Sequence, residues 1–300
     1  MDELEREYWL EVELQHPKGW SIGAVGGSVT SGFFRIDSRT AIKLDLKWEK
    51  QLEEKRIRGK VQPILVVNNF IEGYAKKFRK KTKIYEKGSV EVCGHKAYFA
   101  RWRNDTEITT ISWICNEENK VFLLNYYFEP GEEWREVANW LIPGITCHTP
   151  ESFWKYRLFG VEFKIPKDYK FYTGKLTIGR PVLIFKSKEK TLVVHWCYFA
   201  KEFLSMYEDL LEWCKKEIPK EIYAAIGSFS PHRLKPDETG KLAIVETERR
   251  GILGKSVRVK IVKIWYDADS NRIFSTGYSG PQEGIEDLEE LEKNIKFQLE

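Results

Sequence analysis

Two short pairs of cysteine and histidine in the first half of the chain are the residues best suited to metal chemistry. Cys93 and His95 flank a glycine, and Cys147 and His148 are adjacent. Thiolates and imidazoles are the ligands of tetrahedral zinc sites. If residues 93–95 are extended, Cys93 and His95 share one face of a strand, whereas Cys147 and His148 reach one ion together only from a loop. The two pairs would then supply four ligands.

A simpler interpretation of these four residues is structural. A free cysteine packs as a small apolar side chain, and structural zinc sites favour the C-x₂₋₄-C spacing, which this chain lacks. Nothing in the sequence brings residues 93–95 close to residues 147–148. We therefore assign no metal and no cofactor from the sequence, and Cys93, His95, Cys147 and His148 stay candidates.

A run of six positive charges within eight residues is the second chemical feature of the chain. It lies at the end of a predicted helix, where cations stabilise the negative end of the helix dipole. The alternative interpretation is contact with the phosphates of a nucleic acid. The run consists of Lys76, Lys77, Arg79, Lys80, Lys81 and Lys83.

No catalytic motif occurs in the chain. The five histidines lie outside patterns such as G-x-S-x-G or H-E-x-x-H. His195 alternates with apolar residues on a predicted strand, where it faces solvent or a covering helix. The glycine-rich residues 22–32 lack the GKS or GKT of a phosphate loop and precede a strand-like run, so they predict a hairpin turn. Sequence alone does not exclude a triad assembled from distant residues, but it assigns no catalytic residue and favours a protein that is not an enzyme.

Alternation of apolar and polar residues predicts the strands of the first half. On one of them, Leu44 and Leu46 are predicted to face the core together with Ile42, and Lys43 to face solvent. A helix with one apolar stripe begins at Pro63, and a second helix begins after an acidic pair at residues 132–133. The predicted strands are 9–14, 20–25, 32–36, 41–48, 83–92, 96–103, 108–116 and 120–128.

The second half of the chain repeats the first at a nearly constant offset. Pro17 and Pro166 are 149 residues apart, and Trp48 and Trp196 are 148 apart. The repeat predicts two domains, residues 1–149 and 150–300. The charged insertion at residues 49–60, the basic run and the Cys/His pairs occur in the first half alone. For the second half the pattern predicts strands at 161–165, 191–196, 224–234, 241–250, 256–266 and 272–278, a helix over 203–214, and a closing helix.

Composition narrows the class of protein. Hydrophobic residues make up 42% of the 300 residues and aromatic residues 14%, which excludes a disordered chain. The net charge is only +4, so a nucleic-acid partner would need a local patch. An abundance of Lys and Glu is typical of thermophile proteins. Five cysteines without a CxxC predict reduced thiols in the cytoplasm, and the absence of an 18-residue apolar stretch predicts no membrane span.

The order of the predicted elements resembles that of the PsbP-like family. Members open with a short strand that ends near a proline and an aromatic residue, as in Val161 to Tyr169. A helix, long hairpin strands and a C-terminal helix follow. The resemblance covers both halves and rests on no signature motif. It implies an α+β fold in tandem, each domain an antiparallel sheet with an inserted helix and a C-terminal helix.

For function, the resemblance implies small interaction modules on larger assemblies, and it transfers no catalytic residue. The sequence therefore favours a non-catalytic binding or scaffolding protein whose partner is another protein or a small ligand. Two alternatives stay open. One is a nucleic-acid contact through residues 76–83, and the other is an enzyme with a site at the seam between the two domains.

Overall fold

The computed structural model describes residues 3–28, 30–51, 61–149, 151–250 and 256–297. Contacts between Cα atoms divide the chain into two compact units, residues 1–151 and 152–300. The repeat in the sequence places its boundary between residues 149 and 150, close to this division. The charged insertion predicted at residues 49–60 lies, from residue 52 onward, outside the described residues.

Unit 1 contains a small and a large antiparallel sheet. The small sheet has the order β10-β2-β1 and the large one the order β3-β4-β5-β9-β8-β7-β6. The described residues of the unit form two helices, α1 (Pro63–Phe78) and α2 (Trp134–Leu141). Its strands are β1 (Leu4–Trp9), β2 (Val12–Pro17), β3 (Ser21–Gly27), β4 (Ser31–Asp37), β5 (Ile42–Lys50), β6 (Lys83–Val92), β7 (His95–Arg103), β8 (Glu107–Cys115), β9 (Lys120–Tyr127) and β10 (Ile145–Thr146).

Unit 2 repeats the strand order of unit 1. Its small sheet has the order β11-β12-β20 and its large sheet the order β13-β14-β15-β19-β18-β17-β16. The α+β class with antiparallel sheets expected from the sequence is confirmed. The strands are β11 (Phe153–Leu158), β12 (Val161–Pro166), β13 (Lys170–Lys175), β14 (Val182–Ser187), β15 (Lys190–Tyr198), β16 (Lys235–Pro236), β17 (Leu242–Arg250), β18 (Ser256–Asp267), β19 (Arg272–Pro281) and β20 (Lys296–Phe297).

The helices of unit 2 differ from the prediction. The expected single inserted helix is three short ones, α3 (Ala200–Leu204), α4 (Leu210–Glu217) and α5 (Lys220–Ile226), and the closing helix is α6 (Ile285–Asn294). The strand predicted at 224–234 is wrong, because its first residues belong to α5. Pro219 precedes α5 and has no N–H to continue α4, and Gly227 ends α5 with a φ of +99°. None of the helices among the described residues has both the length and the apolar character needed to cross a membrane.

The first strand predicted from the sequence, at 9–14, is in fact a hairpin. Trp9 pairs with Val12, and the chain reverses at Leu10 and Glu11, whose φ values are +46° and +75°. Two consecutive positive φ values are typical of a type I′ turn, which usually carries Asn and Gly. This turn has neither residue, so the alternation appears unbroken in the sequence. Unit 2 makes the corresponding reversal between β11 and β12 at residues 159–160.

The large sheet of unit 1 is covered on one side by α1. Proline at the first turn starts this helix, and its Val67 and Ile71 are buried. They pack against Ala100, Trp102 and Ile108 of β7 and β8. Burying such side chains contributes about 1.5–3 kcal/mol each. The predicted helix and its apolar stripe are therefore confirmed.

Lys43 faces the interior, in contrast to the predicted solvent exposure. In the pairing of β4 with β5, Ile36 is opposite Leu44 and Asp37 is opposite Ile42, so Lys43 is an extra residue. Such a β-bulge reverses the alternation locally. Ile42 is consequently 44% exposed, whereas the Lys43 side chain is fully buried.

The buried ammonium of Lys43 is held by the start of the closing helix. Its Nζ donates to Glu132 Oε2 at 2.6 Å and lies 5.3 Å from the ring centroids of Trp20 and Tyr126. The Tyr126 hydroxyl donates to the other carboxylate oxygen at 3.0 Å. Burial, followed by the charge of Glu132, raises the pKa of Tyr126. Unit 2 makes a similar contact, because Lys190 and Tyr169 both donate to Asp287 Oδ2, at 2.9 and 2.8 Å.

Replacing Lys43 with alanine is expected to lower the free energy of unfolding by about 3 kcal/mol, because Glu132 loses its buried cation. Urea denaturation followed by tryptophan fluorescence measures this change. The matched control is Lys18→Ala, which removes an exposed ion pair with Glu3 and should leave the midpoint unchanged. Equal midpoints for the two variants would show that the buried contact does not stabilise unit 1.

Candidate metal centre

The hairpin between β6 and β7 carries His95, the first of the candidate metal ligands. Val92 pairs with His95, so Cys93 and Gly94 alone form the turn, with φ values of +52° and +77°. The sequence interpretation required residues 93–95 to be extended, and they are not. Cys93 lies in the turn and His95 begins β7, so these two side chains do not share a strand face.

The pairing of β7 with β8 brings a second donor opposite His95. Tyr98 pairs with Ser112, and the same register continued by three residues places His95 opposite Cys115. Cys115 is the last residue of β8 and is fully buried. The sequence interpretation missed Cys115. The predicted strands 96–103 and 108–116 could have indicated it, because antiparallel pairing places the start of one strand beside the end of the next.

The segment after β10 supplies the remaining two donors. Ile145 and Thr146 pair with β2, and Cys147 and His148 follow directly. His148 Nδ1 lies 3.4 Å from Cys147 Sγ and 3.5 Å from Cys115 Sγ. One potential ligand atom from each of four residues lies within 4.8 Å of all the others; the four are His95, Cys115, Cys147 and His148.

Two of the distances between donor atoms equal those around a tetrahedral zinc ion. Bond lengths of about 2.3 Å to sulfur and 2.0 Å to nitrogen give S···N edges of about 3.5 Å, which the two measured distances match. Two sulfur and two nitrogen donors in a tetrahedron are the set that zinc prefers. The Nε2 atom of His95 is buried and has no hydrogen-bond partner among the described residues, so it is available to bind an ion.

Of the four candidates from the sequence, three lie in the cluster and Cys93 lies beside it. The Cys93 thiol donates to the Ile145 carbonyl oxygen at 3.0 Å and also interacts with the Cys147 thiol. That second hydrogen bond lowers the pKa of Cys93. The hydrogen bond with Cys147, together with burial, raises the pKa of Cys115.

Cys147 stands between the other two thiols. Its hydrogen bond with Cys115 lowers its pKa, but the hydrogen bond with Cys93 and burial outweigh this and raise the pKa to about 12. Without a metal the two buried ligand thiols are therefore neutral. A bound zinc ion replaces such protons, so binding releases them to the solvent.

Glu117 lies next to the cluster. Its Oε2 atom is 3.4 Å from His95 Nε2 and 3.7 Å from Cys115 Sγ. Its own backbone amide, and then the two histidines of the cluster, lower the pKa of this carboxyl. This carboxylate contacts Nε2, the nitrogen left for the ion, and not the opposite ring nitrogen, through which an outer carboxylate orients a histidine ligand.

The basic run lies at the other end of β7, around the end of α1. Lys76 and Lys77 occupy the last helical turn, and Arg79 caps the helix with a φ of +52°. Lys80 forms an ion pair with Asp105. Phe78, which belongs to the same corner, is 48% exposed. The helix-dipole interpretation thus accounts for part of the run.

Two other chemical hypotheses lose their basis in the structure. The described glycine-rich residues, 22–28 and 30–32, belong to the β3–β4 hairpin, and the chain continues from them along a strand, not a helix. His195 is fully buried on β15, and its Nδ1 lies 3.2 Å from Ser275 Oγ. Of the two predicted positions, the solvent-facing one is excluded, and the helix-covered one fits, because Val193 and Cys197 on the same face of β15 pack in the core with α4 and α5. Burial, followed by the charge of Arg180, lowers the pKa of His195 to about 3.

The two units define an α+β protein with a repeated antiparallel sheet. Several solved structures are similar to this chain. No protein-family model matches the chain, and no curated protein matches it. A cyanobacterial PsbP from Synechocystis sp. PCC 6803 is 11% identical with a TM-score of 0.35, covering 49% of this chain and 93% of its own. It belongs to the family that the element order resembles.

Two further solved structures are similar. A protein from Bacteroides thetaiotaomicron is 13% identical, with a TM-score of 0.29, over 54% of this chain and 53% of its own. MucB in complex with MucA(peri) is 8% identical, with a TM-score of 0.19, over 99% of this chain and 88% of its own. Nothing about the function of this chain follows from these similarities.

The depressed pKa of His195 makes stability depend on pH. Unfolded histidine binds a proton near pH 6.5, whereas His195 in the fold does so only near pH 3. The unfolded state binds more protons between these values, so stability is full above about pH 6.5 and falls as the pH drops towards 3. We expect His195→Gln to lose less unfolding free energy between pH 7 and 4 than the wild type. His232→Gln, at an exposed position, should behave as the wild type, and equal losses in all three proteins would contradict the assignment.

Proposed function

We propose that the protein is a non-catalytic binding or scaffolding protein whose first unit holds a structural zinc ion. The observation that supports this proposal is the convergence of His95, Cys115, Cys147 and His148 within 4.8 Å. Structural zinc sites are closed by four protein ligands, whereas catalytic sites keep a position for water. Two thiolates and two neutral imidazoles also balance the charge of the ion, which lowers the cost of burying it.

The ion would tie together three segments that are distant in sequence. They are the start of β7, the end of β8, and the residues that follow β10. β10 itself has only two residues paired with β2, so backbone bonds alone hold this part of the chain weakly. Zinc would bind the folded unit, because the unfolded chain has no preformed site. Its binding free energy would therefore add to the stability of the fold.

The partner of such a protein would be another protein or a small ligand. A cavity of about 620 Å³ in unit 1, lined by Phe33, Trp48, Phe122 and Leu123 among others, is of the size that small ligands occupy. Five free cysteines suit a reducing compartment such as the cytoplasm. The high content of Lys and Glu suits a thermophilic source.

Protein purified without a histidine tag is expected to contain about one equivalent of zinc, because unit 1 offers one four-ligand site. Elemental analysis by mass spectrometry measures the ratio. Cys147→Ser should lose the metal, and a chelator should lower the thermal midpoint of the wild type but not of this variant. The matched control is Cys214→Ser, a buried cysteine of unit 2, which should keep its zinc. Zinc well below one equivalent in the wild type would remove the proposal.

A second candidate function is contact with single-stranded nucleic acid at the basic run. Apart from Lys80, the cations of the run form no ion pair with any residue that the structure describes. Phe78, whose ring centroid lies 5.3 Å from Lys77 Nζ, is 48% exposed, and Tyr85, two residues after the run, is 45% exposed. Cations that contact phosphates, combined with aromatic rings that stack on bases, are the usual elements of single-strand binding.

If this candidate is right, fluorescence anisotropy should detect binding of a labelled single-stranded oligonucleotide at low salt, and the affinity should fall steeply as salt is added. Replacing Lys76, Lys77 and Lys81 together with alanine should weaken binding by about tenfold or more and reduce the salt dependence. The equivalent triple variant of unit 2, at residues 215, 216 and 220, is the control and should bind normally. An absence of binding at micromolar protein excludes this function.

A further inference from the structure

Cys93 is a third thiol at the candidate zinc site, and the four-ligand cluster does not use it. It lies in the β6–β7 turn, two residues before the ligand His95, and its Sγ lies 3.0 Å from the carbonyl oxygen of Ile145, in the segment that carries the ligand Cys147. Cys93 is partly exposed, whereas Cys115 and Cys147 are fully buried. A small oxidant in solution therefore reaches Cys93 before it reaches either sulfur ligand.

The turn that carries Cys93 is open on its outer side. A Cβ atom added at Gly94 would meet nothing within 4 Å, so no packed side chain closes over the turn. The Cys93 sulfur contacts the Ile145 carbonyl oxygen two residues before Cys147. An accessible thiol next to a second thiol is the arrangement in which oxidation ends in a disulfide.

We propose that Cys93 makes the zinc site sensitive to peroxide: its oxidation leads to a disulfide with Cys147, which removes one ligand and releases the ion. This inference rests on the proposed zinc function and adds a regulation to that same site. In the reduced protein Cys93 is not a ligand. In the oxidised protein Cys147 is no longer one.

The chemistry balances with hydrogen peroxide as the oxidant. The Cys93 sulfur attacks peroxide, the O–O bond breaks, and a sulfenic acid and one water form. The Cys147 thiolate then attacks the Cys93 sulfur, an S–S bond forms, and the S–O bond breaks. The departing hydroxide takes one proton from solvent and becomes the second water. Two sulfur atoms lose two electrons in total, peroxide gains them, and the Zn–S bond to Cys147 is lost.

The test uses the reduced, full-length wild-type protein with its zinc content measured beforehand. Peroxide is added, released zinc is followed with a chromogenic chelator, and disulfides are mapped by mass spectrometry of a tryptic digest under non-reducing conditions. The three cysteines of unit 1 fall in separate tryptic peptides, 88–96, 104–120 and 136–155. We expect about one equivalent of zinc to be released while peptides 88–96 and 136–155 become linked.

The outcomes separate the two proposals. If the reduced protein contains no zinc, the proposed zinc function fails and this inference with it. If zinc is present but peroxide links peptide 104–120 to 136–155, or releases zinc without any link to 88–96, only this inference is overturned. Zinc that is retained after peroxide treatment overturns it as well.

A pair of variants gives a second measurement. Cys93→Ser should bind as much zinc as the wild type and release it at least about tenfold more slowly in peroxide, because the accessible thiol is absent. Cys214→Ser, which removes a buried thiol of unit 2, should release zinc at the wild-type rate. Loss of zinc from reduced Cys93→Ser would make Cys93 a ligand and contradict the inference. The disulfide map of the wild type decides the question even if a variant does not fold.

Discussion

Backbone pairing between β7 and β8 determines where the donor atoms of the candidate metal centre lie. The register that pairs Tyr98 with Ser112 runs towards His95 and Cys115, whose donor atoms lie within 4.8 Å of each other. A slip of one strand by one residue would turn one of the two side chains to the opposite face of the sheet and separate it from the other. The apolar residues of these strands pack against α1, so the same burial that holds the helix also fixes the register. The position of the candidate metal centre is therefore a consequence of how the core of unit 1 is packed.

In both units an ion pair holds the start of the closing helix. In unit 1, the bulge on β5 turns Lys43 inward to Glu132, and in unit 2, Lys190 at the start of β15 reaches Asp287. The two lysines are not at equivalent positions in the repeat, so the common feature is the contact and not the residue. An aromatic hydroxyl, from Tyr126 or Tyr169, donates to the same carboxylate in each case. Hydrogen bonds of this kind compensate part of the cost of burying the ions.

Sequence alone predicted the elements whose alternation is unbroken and missed those where the backbone departs from it. Strands β6 to β9 lie within about one residue of their predicted ends, because each alternates regularly between two turns. The turn at Leu10 and Glu11 was missed because it lacks glycine, and the inward position of Lys43 was missed because a bulge leaves no mark in the sequence. The same limit affected the site. A shared face for Cys93 and His95 depended on an extended segment, which is a turn, and Cys115 was overlooked because its proximity to His95 depends on register.

The repeat explains why only one unit would need a metal. In both units a two-residue strand, β10 or β20, follows the closing helix and pairs with the small sheet. In unit 2 the closing helix α6 carries Glu292, whose side chain is 8% exposed and accepts from Lys241 at 2.8 Å and Thr276 at 2.8 Å. Lys263 lies 3.5 Å from the same carboxylate. This half-buried network anchors the end of unit 2 to β18, β19 and the residue before β17. The shorter α2 of unit 1 ends at Leu141 with no basic residue in its last turn, and the Cys/His cluster lies at the chain end that follows. A zinc ion at that point would link the end of unit 1 to β7 and β8, as the Glu292 network links the end of unit 2 to its own large sheet.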